Sequence, residues 1–146
     1  MKYKSEYDFL MGEPIKRAHF DDAGIDFRSP IDFILTPAGT KYDQMVIDTG
    51  IHVQIPVGYF GKMESKSGLM VNYGVCCMGG VVDSGFRGTV KVRMINHGHE
   101  QYHFSVGDKL CQMVLIPTLL ADLERVEELD ESVSGRGDSG FGSTGK

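Results

Sequence analysis

The sequence predicts an all-β domain, and three observations carry that prediction. Glycine occurs 19 times in 146 residues, where average usage of ~7% gives roughly ten. Between the glycines lie short apolar segments that alternate with period 2. Gly and Pro also interrupt nearly every window in which a helical period could run. Short strands with turn signals about every 8–12 residues describe a β-sandwich or barrel.

The elements follow in order. Tyr3, Tyr7, Phe9 and Phe20 read as a first strand or a subunit contact. Asp22-Ala23-Gly24-Ile25-Asp26 sets two carboxylates around a glycine, taken alone an ordinary turn. Ile51, Val53, Ile55 and Val57 alternate with His52, Gln54 and Pro56, the pattern of a half-buried strand. Ser65-Lys66-Ser67-Gly68 offers a cation, two hydroxyls and a glycine. That set can approach phosphate oxygens, or it is a turn in which Ser67 caps a short helix beginning near Leu69. Gly79 to Gly88 reads as a glycine-bounded hairpin with Asp83 at its bend. Val90, Val92 and Met94 alternate with Lys91, Arg93 and Ile95. Gly107-Asp108-Lys109 is a turn before the apolar run Leu110 to Ile116, which Pro117 ends and Gln112 interrupts. Met63, Met70, Met78, Met94 and Met113 read as core filling. Leu119, Leu120, Leu123, Val126 and Leu129 recur at spacings of three and four, which predicts an amphipathic helix; a last strand followed by an acidic connector is the alternative.

Composition bounds the function. The length fits one domain. No apolar run approaches ~18 residues, so no transmembrane helix is expected, and the first twenty residues lack the apolar stretch of a secretory signal. Three cysteines are an odd set, which favours a reducing, cytoplasmic location. A net charge of −5 argues against a broad nucleic-acid surface and requires any polyanionic substrate to meet locally placed cations or a metal. His97, His99 and His103 with Cys111 match no zinc-ligand spacing and read as structural. The stretch from Ser134 to Lys146 holds five glycines, three serines and one threonine, too little apolar surface to fold alone. The division expected is a core over 1–133 and a flexible arm over 134–146.

Five segments gain meaning together. Ala23-Gly24-Ile25-Asp26-Phe27, Lys66-Ser67-Gly68-Leu69, Gly80-Val81-Val82-Asp83-Ser84-Gly85-Phe86-Arg87-Gly88, Gly107-Asp108-Lys109-Leu110-Cys111-Gln112 and Arg136-Gly137-Asp138-Ser139-Gly140-Phe141-Gly142-Ser143-Thr144-Gly145 resemble, in order and spacing, the five motifs of the trimeric deoxyuridine triphosphatases (dUTPases). The resemblance runs from about Ala18 to Gly145.

It implies a distorted jelly-roll-like fold assembled as a homotrimer, with active sites at subunit interfaces and a C-terminal arm exchanged over each. It also implies a substrate, dUTP, and a Mg²⁺ cofactor; the charge balance and the absence of a long apolar run already argue against nucleic acid and membrane as partners. Asp83 resembles the carboxylate that activates the water attacking the α-phosphorus, giving dUMP and pyrophosphate. The segment from Cys77 to Asp83, with Gly80, Val81 and Val82, would read uracil mainly through its backbone. Phe86 would lie under the deoxyribose, and Lys91 completes the substrate-binding set. Lys66, Ser67, Gly68 and Gln112 would hold the α- and β-phosphates. In the arm, Arg136, Gly142, Ser143 and Thr144 would bind the γ-phosphate region while Phe141 stacks on uracil. Asp26 would hold waters of the metal in its outer shell.

The chain departs from the family pattern at Lys66, where Arg is usual, replacing a bidentate contact by a point charge. It departs again at Phe86, where Tyr is usual, and at Cys77, where Asn or a small residue is frequent. A deoxycytidine triphosphate deaminase, similar in fold, is disfavoured because Arg93 stands where that family carries its glutamate. The alternative from another class is a dUTPase-like nucleotide-binding regulatory protein that acts through a protein partner.

Overall fold

The computed structural model describes residues 1–7, 13–130 and 133. Eleven strands and one helix are found among them. They run β1 (Lys2–Ser5), β2 (Ile15–Lys16), β3 (Gly24–Arg28), β4 (Phe33–Leu35), β5 (Gln44–Gln54), β6 (Tyr59–Ser65), α1 (Ser67–Tyr73), β7 (Val75–Met78), β8 (Val81–Val82), β9 (Thr89–Asn96), β10 (Tyr102–Phe104) and β11 (Lys109–Pro117).

Period-2 alternation does what it predicts. In β9, Val90, Val92, Met94 and Asn96 are buried while Lys91 and Arg93 face solvent. In β5, Ile47, Thr49, Ile51 and Val53 face inward, with a register irregularity between Asp48 and His52. Three antiparallel sheets result, ordered β1-β5-β9-β7, β10-β4 and β2-β3-β11-β6-β8. Their inner faces share one apolar core that includes Phe27, Leu35, Ile51, Met94, Leu110 and Met113. The buried Thr49 hydroxyl donates to the Val90 carbonyl at 2.7 Å, tying β5 to β9. The Asn96 amide donates to the carbonyls of Thr36 (3.1 Å) and Glu100 (2.8 Å). No helix of the described residues is long and apolar enough to cross a membrane.

Several expectations are corrected. The Gly79–Gly88 segment is not a hairpin in the sense of two paired strands: β7 pairs with β9 and β8 with β6, in different sheets. Gly80, at φ 65°, makes the turn that carries the chain from one sheet to the other, a conformation that costs glycine little. Ser67 does not cap the helix; it is the first helical residue, and Lys66 stands at the cap without a side-chain bond. Residues 119–130 form no helix. Their apolar side chains find no core to pack against in this chain, with Leu123 99% exposed, and a short amphipathic stretch is marginal without such packing. Met63, Met94 and Met113 fill the core as expected, whereas Met70 and Met78 are exposed. In the same way Ile55 is buried but Val57, past the end of β5, is 81% exposed. Tyr3 lies in β1 and Phe20 in an exposed loop; Phe9 lies outside the described residues.

Candidate active site

The first group of residues lines an open cleft of about 540 Å³, with Val81, Val82, Asp83, Phe86, Gly88 and Lys91 in its walls. Each arrives for a local reason. Pairing of Val82 with Gly61 and of Val81 with Lys62 fixes β8 on the edge of β6. Beyond it the chain turns tightly, with the Phe86 N–H donating to the Asp83 carbonyl at 3.1 Å. The Arg87 guanidinium closes the same turn on the carbonyls of Ser84 (2.7 Å) and Phe86 (2.6 Å). Asp83 and Phe86 therefore stand at the two ends of one β-turn, both exposed to the cleft. Lys91 reaches the cleft from β9 and pairs with Asp48 at 3.1 Å. On the segment from Cys77 to Asp83, two backbone groups already have partners. The Cys77 N–H donates to Ser65 Oγ at 2.9 Å, and the Gly80 carbonyl accepts from the Met63 N–H at 3.0 Å.

The second group surrounds Asp26. This carboxylate is 3% exposed and is clasped from two sides, by Lys66 Nζ at 2.5 Å and Lys109 Nζ at 2.7 Å. Burial works to raise its pKa, but the hydrogen bonds and charges of Lys109 and Lys66 outweigh burial and hold the carboxyl below the ordinary range. Two lysines around one carboxylate leave a local excess of positive charge in a protein of net charge −5. Both lysines also line a cavity of about 420 Å³ walled by Gly68, Tyr73, Tyr102 and Phe104. Aromatic contacts at 4.8 Å between Tyr73 and Tyr102, and again between Tyr102 and Phe104, stiffen that wall. Ser67 and Gly68 are exposed in the first turn of α1. Gln112 lies beside Asp26 in the β3–β11 register and donates its amide to the Ser65 carbonyl at 3.0 Å.

Two residues take parts that the sequence reading did not assign. Lys109, read in the turn before β11 and within the fourth motif, is the second cation on Asp26. Ser65 joins the two groups, accepting from Gln112 through its carbonyl and from Cys77 through its hydroxyl. The need to neutralise a carboxylate in the first motif is the one signal that points toward Lys109; Ser65 stood out only as one of the two hydroxyls in Ser65-Lys66-Ser67-Gly68.

Among the described residues, no group of three or more His, Cys, Asp or Glu could hold a metal ion. His97, His99 and His103 are exposed. Cys111 is buried, its thiol pushed well up by a hydrogen bond with Cys77 and by burial, which makes it a poor metal ligand. Asp26 retains acceptor capacity beside its lysines, since a carboxylate has about four lone-pair positions. That suits one metal-bound water better than direct coordination. Arg136, Phe141, Gly142, Ser143 and Thr144 lie outside the described residues.

The sequence profile of the dUTPase family matches residues 12–145. The chain belongs to the dUTPase family. A deoxyuridine 5'-triphosphate nucleotidohydrolase of Ehrlichia canis is 38% identical over 129 residues, covering 86% of this chain and 82% of that protein. One of Syntrophotalea carbinolica is 43% identical over 126 residues, covering 84% and 82%. Among solved structures, the dUTPase of Staphylococcus bacteriophage 80alpha with dUPNHPP is 28% identical with a TM-score of 0.82, covering 99% of this chain and 98% of that one. A mutant dUTPase of S. aureus phage phi11, described with a structural Mg(II) ion, is 26% identical with a TM-score of 0.72 over 88% and 98%. Among these dUTPases the jelly-roll-like β architecture is shared, and the fold expected from the motifs is the fold found.

Proposed function

We propose that this dUTPase-family chain hydrolyses dUTP to dUMP and pyrophosphate, so limiting uracil incorporation into DNA and supplying dUMP for thymidylate synthesis. The observation that carries the reading is the shared turn that sets Asp83 beside Phe86 in one cleft. A carboxylate at the rim is the base, taking a proton from the water that attacks the α-phosphorus in line. The Phe86 ring packs under the deoxyribose and leaves a 2′-hydroxyl without room. Val81, Val82, Gly80 and the Cys77 backbone face the uracil, and Lys91 closes the same cleft.

The phosphates are read by charge. Lys66 and Gln112, with Ser67 and Gly68 on the first turn of α1, hold the α- and β-phosphates, and the positive excess around Asp26 supports that use. Arg136, Ser143, Thr144 and Gly142 take the γ-phosphate region and Phe141 covers the base, in an arm over 134–146 that excludes water when it closes. Asp26 would hold Mg²⁺ through a bound water, and the ion, brought with the triphosphate, would supply neutralising charge at the phosphate oxygens.

A homotrimer with sites between subunits fits two features of the single chain. Asp83 and Phe86 line one cleft and Lys66 and Gly68 another, and Leu119, Leu120, Leu123 and Leu129 stand uncovered. The three free cysteines accord with a cytoplasmic location. No observation on the described residues favours a regulatory partner.

The deciding experiment is pyrophosphate release from dUTP, dCTP, dTTP and UTP, with Mg²⁺ and with excess chelator. Mg²⁺-dependent release confined to dUTP is expected. Comparable release from dCTP or dTTP defeats the specificity assignment; binding of dUTP without release transfers the weight to the regulatory reading. Truncation after Ser134 is expected to leave a folded assembly with little activity, and full activity would make the arm dispensable.

A further inference from the structure

Gly88 occupies a position that its backbone does not demand of glycine. Its φ lies outside the left-handed region, where Gly39, Gly50, Gly58, Gly74, Gly80 and Gly107 are found, and the residue is exposed. Yet a Cβ built there would sit 2.8 Å from Phe86 Cζ and 3.1 Å from Cε2, and the three nearest atoms all belong to that one ring. Real Cβ atoms do not approach so closely, so any side chain at 88 must lift the ring. The backbone of Phe86 is meanwhile fixed at both ends, its N–H on Asp83 and its carbonyl on Arg87. The ring, the far end of a rotatable side chain, is the group that yields most cheaply.

We propose that Gly88 is a positioning residue for sugar selection: the missing side chain is the seat that sets the height of the Phe86 ring in the cleft. The inference rests on the reading of Phe86 as the surface under the deoxyribose. A ring lying directly on the main chain leaves a slot of fixed depth above it. Raising the ring by even part of a methyl radius makes that slot shallower and pushes the sugar out of its seat, so the fit at C2′ on which discrimination depends is lost to overpacking. Gly24 provides the contrast. It too has ordinary φ, and its Cβ position is filled by Gln112 alone, with Cδ at 2.8 Å, so a side chain there disturbs the phosphate half and leaves the sugar half in place.

The test is a double-mutant cycle on the full-length protein, reading kcat/KM for dUTP and UTP and the thermal midpoint without nucleotide. Wild-type turnover of dUTP tests the underlying reading separately. Phe86→Ala and Gly88→Ala are each expected to lower the dUTP-to-UTP preference by tenfold or more. In Phe86→Ala/Gly88→Ala, where no ring remains to be displaced, the second substitution is expected to add less than twofold, and the double variant folds even if Gly88→Ala alone does not. Gly24→Ala is expected to raise KM for both nucleotides and keep their ratio. Independent, multiplying losses at 86 and 88, or an unchanged preference in Gly88→Ala, would overturn the proposal.

Discussion

The cleft at Asp83 and the cavity at Asp26 are built on opposite physical terms. The first is open and is shaped by backbone: an edge strand, one turn, a ring lying on a glycine. Its acid, Asp83, stands exposed at the rim. The second is dense in charge, and its carboxylate is buried and paired before any ligand arrives. A shape-based site discriminates by what it cannot accommodate, whereas a charge-based site holds any group of the right sign and geometry. A nucleotide hydrolase needs both: selection at base and sugar, and grip at the phosphates that every nucleoside triphosphate shares.

Substitutions separate the two. The largest effect is expected from Asp83→Asn, which keeps the shape of the first cleft and removes the carboxylate proposed as its base. Turnover should fall on the order of 10³-fold while affinity for a non-hydrolysable dUTP analogue, measured by calorimetry, stays near wild type; retained turnover breaks the assignment. Next comes Lys66→Met. It should raise KM about tenfold or more for dUTP and UTP alike, since one charge-assisted contact is worth roughly 1.5–3 kcal/mol, and Lys66→Arg should restore it through a bidentate contact. A change in the dUTP-to-UTP ratio would show the two regions less separate than their geometry implies.

The smallest effect concerns stability. Asp26 titrates in the folded chain below its unfolded value, so the stability it contributes is present above about pH 4 and is lost as pH falls through the lower folded pKa. Asp26→Asn should flatten that acid limb and lower stability near pH 7 by about 1–3 kcal/mol, because two partly exposed lysines lose the charge between them. Thermal midpoints measured from about pH 2 to pH 7 check both; an acid limb identical to wild type would mean that the clasp contributes nothing.

What could be read in advance divides along the same line. Alternation placed β9 and the last residues of β5, because burial on one face leaves a period-2 signature in the chain itself, whereas β11 showed as a dense apolar run. Motif order brought Asp83 and Phe86 together, since residues so close in sequence can be joined by one turn. The clasp was not legible. Lys109 meets Asp26 only because β11 pairs with β3, and register between strands so distant in the chain leaves no local trace. The same holds for Ser65, whose partners lie on β7 and β11. The Gly79–Gly80 turn misled because glycine at a bend looks alike whether the chain returns along its own strand or changes sheet. At residues 119–130 the three-and-four spacing was real, but periodicity states which side chains would share a face and says nothing of whether that face has anything to lie on.

That uncovered segment has a consequence for how the chain behaves before it meets others. Between Leu119 and Asp130 the apolar residues are interleaved with Asp122, Glu124, Glu127, Glu128 and Asp130, against one base, Arg125. Carboxylates set among exposed leucines act as gatekeepers, since two such segments repel before their apolar groups touch. The range of that repulsion is the Debye length, about 30 Å at 0.01 M salt and about 10 Å at 0.1 M. Ionic strength should thereby set how near two copies come before the leucines take over, with dilute buffer expected to keep the chains apart and added salt to bring them together.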